Sequence, residues 1–216
     1  IYRLVSGAFG AFTREALDRV GGWDIGPGLD GDITVKLRKL GYRIVFEPDA
    51  ICQTNVPNTF KKLVKQRLRW DKSIVRFRVR KHRDVFYPNA TFRFSNFISS
   101  LENITYNILL NIKWWLYMID MIVNYTSLLG FIFPFNILLY TTNNFLKFLV
   151  FSLFRKRKNS SISYFIPYLP CMVFYFGFYL RFVRSVAYVQ EFFFKKSYED
   201  SWNPSKSSSH AKKLGI

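Results

Sequence analysis

The stretch GDITVKLRKLGYRIVFEP, residues 31–48, decides the fold class of this chain. Residues 32–40 carry apolar side chains at helical spacing, and Gly41 ends the predicted helix. Residues 42–47 then have the pattern of a β-strand that Pro48 stops. Because a helix that returns directly into a strand is typical of an α/β sheet, the sequence predicts an α/β fold whose other strands lie upstream of this chain.

Composition points to a membrane protein. The 216 residues are 50% hydrophobic and 19% aromatic, yet the formal net charge is +18. The basic residues concentrate in residues 61–83 and 155–158, which flank apolar stretches as the positive-inside rule describes. A nucleic-acid binder would instead interleave its charge with exposed stacking aromatics. The aromatic residues here fall in apolar runs, so we predict membrane lipids and no nucleic acid as partners.

Three apolar stretches are long enough for the roughly 20 residues of a helical membrane span. They are Ile104 to Tyr125, Leu128 to Phe154 and Ile162 to Val189. For the third stretch two arrangements stay open: one span together with an interfacial helix, or a re-entrant pair of helices. The predicted domains are therefore a soluble part (1–84), an amphipathic interface segment (85–103), transmembrane or interfacial helices (104–194) and a basic flexible tail (195–216).

The cysteines indicate no special chemistry. Cys52 and Cys171 lie in regions of different character, so we predict reduced thiols, with neither a disulfide nor a cysteine metal site. Because the chain opens with Ile-Tyr-Arg in the middle of domain-like sequence, we expect the C-terminal part of a longer protein.

The stretch Gln66-Arg67-Leu68-Arg69-Trp70 is the clearest functional motif. We predict a helix from Thr59 to about Arg80 with Asn58 as its N-cap. On such a helix Gln66, Arg69 and Trp70 project to the same side. A guanidinium binds phosphate oxygens, an indole stacks on a sugar ring and an amide hydrogen-bonds a hydroxyl, so this face suits a sugar linked to a phosphate.

The spacing Gln-x-x-Arg-Trp resembles the signature of the processive family 2 glycosyltransferases, membrane enzymes that polymerise cellulose, chitin or hyaluronan. The same order of a glycine-rich segment, an Asp loop with its helix, Glu47-Pro48, the motif and membrane helices runs along this chain. The resemblance implies the C-terminal part of a GT-A-type α/β domain followed by α-helical membrane segments. It also implies inverting transfer from a nucleotide sugar, a UDP-sugar by family, to a polysaccharide, and a divalent cation, Mg or Mn, held by residues outside this chain. The isolated fragment is then expected to be inactive.

Inverting transfer needs a carboxylate that takes the proton of the acceptor hydroxyl. Asp30, in the glycine- and proline-rich loop before the helix, matches the base of the acidic motif in the family, although Leu29 replaces the usual acidic neighbour. By the same resemblance Gln66, Arg69 and Trp70 bind the diphosphate and the terminal sugar of the growing chain. We interpret Asp32 as mainly structural and His82 as a solvated surface histidine.

Asp30-Gly31-Asp32 also spells the Asp-x-Asp pattern with which such enzymes hold a divalent ion. Here the pattern follows a glycine-rich loop and not an apolar strand, so we predict no metal ligand in this chain.

Blander interpretations stay open. In these interpretations Asp30 is a helix cap, Arg69 is part of a solvated basic face, and Trp70 is a membrane-interface anchor. The alternative functions are a single-addition glycosyltransferase acting on a polyprenyl-phosphate lipid carrier and a non-enzymatic basic membrane scaffold. In the favoured reading the protein is integral to a bacterial-type inner or plasma membrane, with its catalytic part cytoplasmic.

Overall fold

The structure is a computed structural model, and it describes residues 4–154 and 163–199. The chain divides into two compact units, Ile1–Leu109 with Arg184–Ile216, and Leu110–Val183. The basic run 155–158 and most of the predicted flexible tail lie outside the described residues.

The first unit is built from helices and loops. Its helices are α1 (Arg14–Val20), α2 (Leu29–Lys39), α3 (Phe60–Ser73), a π-helix (Ile74–Lys81), a 3₁₀ helix (Arg83–Phe86), α4 (Phe94–Ile104) and a second π-helix (Thr105–Leu109). A short 3₁₀ helix, Lys196–Glu199, belongs to the same unit.

Helices α1 and α2 pack against each other through Ala16, Ile33 and Leu37, which are all buried. The Thr13 side chain caps α1 by accepting a hydrogen bond from the Ala16 amide, as its position in the sequence favours. Gly21 ends α1 in the left-handed conformation, φ 70°. Phe12, which precedes α1, and Tyr42, which follows α2, pack against this core.

The α/β expectation is not confirmed. Residues 42–47 have no regular secondary structure, and among the described residues there is no β-strand. The physical reason is that a strand exists through hydrogen bonds to a neighbouring strand, and no described segment lies in register with residues 42–47. Val45 and Phe46 are instead exposed, at 74% and 57%.

Helix α3 begins at Phe60 and its N-cap is Thr59, whose side chain accepts a hydrogen bond from the Lys62 amide at 3.3 Å. The prediction of Asn58 as the N-cap is therefore wrong by one residue. The helical path continues as the π-helix Ile74–Lys81. A second core forms where Val75 of this π-helix meets Ile108 and Tyr188.

The second unit is helical throughout its described part. It contains α5 (Leu110–Asn124), a 3₁₀ helix (Thr126–Leu128), α6 (Leu129–Phe154), a 3₁₀ helix (Ser163–Tyr168), α7 (Cys171–Phe174) and a π-helix (Tyr175–Tyr179). Helix α8 (Leu180–Phe194) begins in this unit and ends in the first. Edge-to-face contacts of Trp114 with Phe178, and a tilted contact of Phe133 with the same ring, join its helices.

Of the three predicted membrane spans, the described residues contain one that is long and apolar enough to cross a bilayer by length and composition alone. It is Thr126–Phe154, of 29 residues, and none of its most apolar window is buried. The described parts of the other two stretches are largely helical but do not meet that criterion.

Candidate active site

Asp30 lies in the first turn of α2, so the prediction of a loop position is wrong by a few residues: the helix begins at Leu29 and not at Asp32. Gly28 is the N-cap, with φ 89°, a left-handed conformation that favours glycine. The Asp30 carboxylate accepts a hydrogen bond from the Gly31 amide at 2.9 Å and is partly exposed. A carboxylate at this helix end also gains from the helix dipole.

The glycine-rich segment at the start of the chain borders Asp30. A Cβ placed on Gly7 would lie 3.4 Å from the Asp30 Cβ and 3.5 Å from its Oδ2. The backbone of Gly7 therefore lies alongside the Asp30 side chain.

Two glycines bring the Asp30 turn against the end of the motif helix. A Cβ on Gly28 would lie 2.6 Å from the Ser73 Cβ, and a Cβ on Gly31 would lie 2.4 Å from the Phe77 Cζ. No other residue fits there without displacing its neighbour. Asp30, which sits between these glycines, is thereby held next to the helix that carries the Gln66–Trp70 motif.

The motif itself occupies the last two turns of α3. Gln66 and Arg69 are partly buried, whereas Trp70 is 49% exposed. The Arg67 guanidinium lies over the Trp70 ring, 4.7 Å from its centroid. The Ser73 hydroxyl donates to the Trp70 carbonyl at 2.6 Å. The indole is therefore fixed in position while much of its surface stays open to a ligand.

Asp71, directly after the motif, is held from a distant part of the chain. Its carboxylate accepts a hydrogen bond from Arg184 Nε of α8 at 3.2 Å and is 7% exposed. Burial raises the pKa of Asp71, and the charge of Arg184 opposes that rise only in part. Sequence reasoning could not find this pair, because its members are more than a hundred positions apart.

Further contacts attach the π-helix after the motif to the C-terminal end of α8 and to the 3₁₀ helix Lys196–Glu199. Arg80 Nη1 donates to Glu191 Oε1 at 2.7 Å, and Glu191 is fully buried. Arg76 Nη1 donates to the Ser197 carbonyl at 3.0 Å, and its guanidinium lies over the Tyr198 ring at 4.1 Å. The basic run that looked like a solvated face in the sequence is thus partly an internal set of contacts.

A buried ion cluster lies on the other side of α2. Asp32, 1% exposed, accepts from His82 Nε2 at 2.7 Å and from Lys81 Nζ at 3.0 Å. Asp24 pairs with Lys81 at 2.6 Å and with Lys36 at 2.8 Å. Burial alone would raise the pKa of Asp32, but the hydrogen bond from His82 and the charge of Lys81 outweigh it and hold that pKa well below its usual range.

This cluster corrects the interpretation of His82. The side chain is not a solvated surface histidine; it is 4% exposed and bonded on both ring nitrogens. Asp32 is structural, as expected, but through burial and ion pairing and not as a solvated loop residue.

The described residues do not fit a divalent cation. They contain no group of three or more His, Cys, Asp or Glu side chains placed to hold a metal ion. Asp32, the second carboxylate of the Asp-x-Asp pattern, is engaged by His82 and Lys81. Cys52 and Cys171 are both free thiols, as predicted.

Comparison with known proteins places these features in a family. Residues 4–180 match the family model for "Glycosyl transferase family group 2". The chain is 39% identical over 102 residues to the poly-beta-1,6-N-acetyl-D-glucosamine synthase of Staphylococcus aureus (strain COL), covering 46% of this chain and 24% of that protein. It is 44% identical over 68 residues to the enzyme of the same name from Staphylococcus epidermidis, covering 31% of this chain and 16% of that protein.

The alignments therefore span about a quarter or less of the length of these relatives. No solved structure matches the chain significantly. The family match covers most of the chain and includes α2 and also α3, which carries the Gln66–Trp70 motif. The chain belongs to glycosyl transferase family group 2, and it is similar to processive polysaccharide synthases of that family.

Proposed function

We propose that this chain is the part of a processive, inverting membrane polysaccharide synthase that holds the catalytic base and the motif for the sugar chain and diphosphate. One observation carries the proposal. Gly28 and Gly31 seat the Asp30 turn of α2 directly on Ser73 and Phe77, at the end of the helix that carries Gln66, Arg69 and Trp70.

The residues divide the reaction as follows. Asp30 accepts the proton of the acceptor hydroxyl while that oxygen attacks the anomeric carbon of the donor. The bond between that carbon and the diphosphate oxygen breaks, and the diphosphate leaves with the electron pair. Arg69 offsets the charge that develops on the leaving diphosphate. The exposed indole of Trp70 stacks on the terminal sugar of the acceptor, and Gln66 hydrogen-bonds beside it.

The donor and product are proposed from the names of the relatives. Both are poly-beta-1,6-N-acetyl-D-glucosamine synthases, so we propose UDP-N-acetylglucosamine as the donor and a β-1,6-linked N-acetylglucosamine polymer as the product. From the family we also propose a divalent cation, Mg or Mn, bound by residues outside this chain, and no step above depends on its geometry.

Membrane insertion is proposed from the surface of α6. Large apolar side chains on this helix are exposed, among them Leu149 at 54%, Leu153 at 72% and Phe154 at 81%, and lipid is the solvent that suits them. The basic helix surface near Lys61 and Lys65 supports a cytoplasmic side for the catalytic part, because basic residues near membrane segments favour that side under the positive-inside rule.

The test uses membranes that contain the full-length protein and radiolabelled UDP-sugars supplied one at a time. We expect high-molecular-weight product from UDP-N-acetylglucosamine, lost in Asp30→Asn and in Trp70→Ala. Asp18→Asn is the matched control, since Asp18 is an exposed acid of α1 paired only with exposed Arg14. This variant should keep wild-type synthesis.

Other results would change the function. A short lipid-linked product alone would indicate single addition to a polyprenyl-phosphate carrier. Incorporation that survives Asp30→Asn would remove Asp30 as the base, and no incorporation from any donor would favour a membrane scaffold. The isolated 216-residue chain should turn over no donor.

A further inference from the structure

We propose that His82 is a positioning residue for the reaction: a neutral imidazole that joins Asp32 to Lys39 and so fixes the rotation of α2 that aims Asp30. The inference rests on the proposed role of Asp30 as the base. It adds to the proposed active site a residue that is neither in the Gln66–Trp70 motif nor in the Asp30-Gly31-Asp32 sequence.

The contacts of His82 determine its protonation. Lys39 Nζ lies 3.1 Å from His82 Nδ1 and 2.6 Å from Asp84 Oδ2. An ammonium can only donate, so Nδ1 must be the unprotonated acceptor. The hydrogen of the neutral ring is then on Nε2, which donates to Asp32 Oδ1 at 2.7 Å. His82 is therefore a neutral bridge that accepts from one side and donates to the other.

Asp30 and Asp32 point in nearly opposite directions from α2. Residues two positions apart on an α-helix are separated by about 200° around its axis. Accordingly Asp30 lies against Gly7 and is partly exposed, whereas Asp32 is buried in the ion cluster. A contact that holds Asp32 therefore sets the direction in which Asp30 faces.

The bridge also joins the base to the sugar-binding motif. His82 follows the π-helix that continues α3, and its amide donates to the Phe77 carbonyl at 2.9 Å. Phe77 is the residue on which Gly31 packs. The same turn of chain thus contacts α2 twice, once by packing beside Asp30 and once by the hydrogen bond to Asp32.

The charged groups described around His82 form one network of ion pairs. Besides Asp32 and Lys39 they are Lys81, which bonds both Asp32 and Asp24; Lys36, which pairs with Asp24; and Asp84, which pairs with Lys39. Lysines therefore hold the carboxylates in place, and the imidazole contacts α2 at two of its residues, Asp32 through Nε2 and Lys39 through Nδ1.

The test compares His82→Gln with His82→Leu in the full-length enzyme in membranes, with rates normalised to folded protein. Gln retains one donor and one acceptor, whereas Leu retains neither. We expect His82→Leu to lower kcat about tenfold or more while the KM for UDP-N-acetylglucosamine changes less than about twofold. His82→Gln should recover kcat to within about threefold of wild type.

A purely structural role predicts something different. It would lower the amount of folded protein and leave kcat per folded molecule unchanged, and that result would overturn the proposal. Equal impairment in His82→Gln and His82→Leu would overturn it as well. If His82→Leu does not fold, Lys39→Met decides, because it removes the donor to Nδ1 and keeps the imidazole: a drop in kcat at constant KM supports the bridge, and wild-type kcat refutes it.

Failure of the proposed function is recognised separately. If the wild-type enzyme makes no polymer, Asp30 loses its assigned role. Hydrogen exchange at the amides of residues 29–34 then still tests whether the contacts of His82 hold α2 in place. Exchange that is about threefold faster in His82→Leu than in His82→Gln shows that the bridge fixes α2, and equal exchange shows that it does not.

Discussion

Gly31→Ala is the perturbation that most directly tests the geometry of the site. The added Cβ would lie 2.4 Å from Phe77 Cζ and 2.8 Å from its Cε2, and Phe77 is 4% exposed. Carbon atoms touch at roughly 3.5 Å, so the contact must open by about 1 Å. Because the ring is buried in close packing, we expect the turn of α2 that carries Asp30 to move instead.

The expected effect falls on catalysis more than on stability. Overpacking of this size costs about 1–3 kcal/mol, and the better helix propensity of alanine offsets about 1 kcal/mol of it. The protein should therefore stay folded. A displacement of about 1 Å between a base and its substrate, in contrast, lowers the rate on the order of 10²-fold.

The assay is the initial rate of polymer synthesis from UDP-N-acetylglucosamine by full-length enzyme in membranes, divided by the amount of folded protein. Gly130→Ala is the matched control, because it makes the same change in helix α6, where a Cβ meets nothing within 4 Å. If Gly31→Ala keeps a rate within about twofold of this control, the tight seating of Asp30 on the motif helix does not matter for the reaction and the reasoning is wrong.

Three further outcomes follow from the buried charges and can be measured by thermal unfolding in detergent. Arg184→Met should destabilise the protein by about 2 kcal/mol, since it leaves the Asp71 carboxylate buried without its partner. Asp71→Asn should change stability by less than about 1 kcal/mol, because burial already disfavours the charge of Asp71 and raises its pKa. Arg78→Met should be neutral or stabilising: Arg78 is 1% exposed, its Nε and Nη2 have no hydrogen-bond partner among the described residues, and burial together with the charge of Arg38 lowers its pKa to about 10. Asp32 has a lowered pKa, so its contribution to stability is complete above the unfolded pKa near 4 and is lost on acidification below it; Asp32→Asn should flatten the acid limb of a stability–pH profile, and an unchanged limb would contradict the ion cluster.

Local chemistry made part of the fold predictable. Thr13 caps α1, Gly21 ends it and α3 carries the motif as a helix, since caps and periodicity act over a few residues. Asp30 was identified through a family motif. Its position beside the motif helix depends on Gly28 and Gly31, and the sequence does not show that these glycines pack against Phe77.

The strand at residues 42–47 shows the limit of such reasoning. Its apolar, β-branched pattern describes a segment suited to a sheet, but a strand is stabilised by a neighbour and not by its own residues. The described chain offers no such neighbour, and Val45 and Phe46 remain exposed. A strand needs both a suitable residue pattern and a neighbouring strand, and residues 42–47 show only the pattern.

The error at His82 has a different cause, and it bears on how the site is built. Assigning faces by a period of 3.6 residues assumes α-helical geometry, which ends at Ser73. From Ile74 to Lys81 the chain closes hydrogen bonds from residue i to i+5, and the His82 amide bond to Phe77 continues that pattern. Each turn then takes more residues, so side chains beyond Ser73 emerge at angles that the α-helical period does not give. Lys81 is the last residue of this π-helix and His82 follows it, so the two residues that contact Asp32 lie where a period of 3.6 residues no longer assigns the faces.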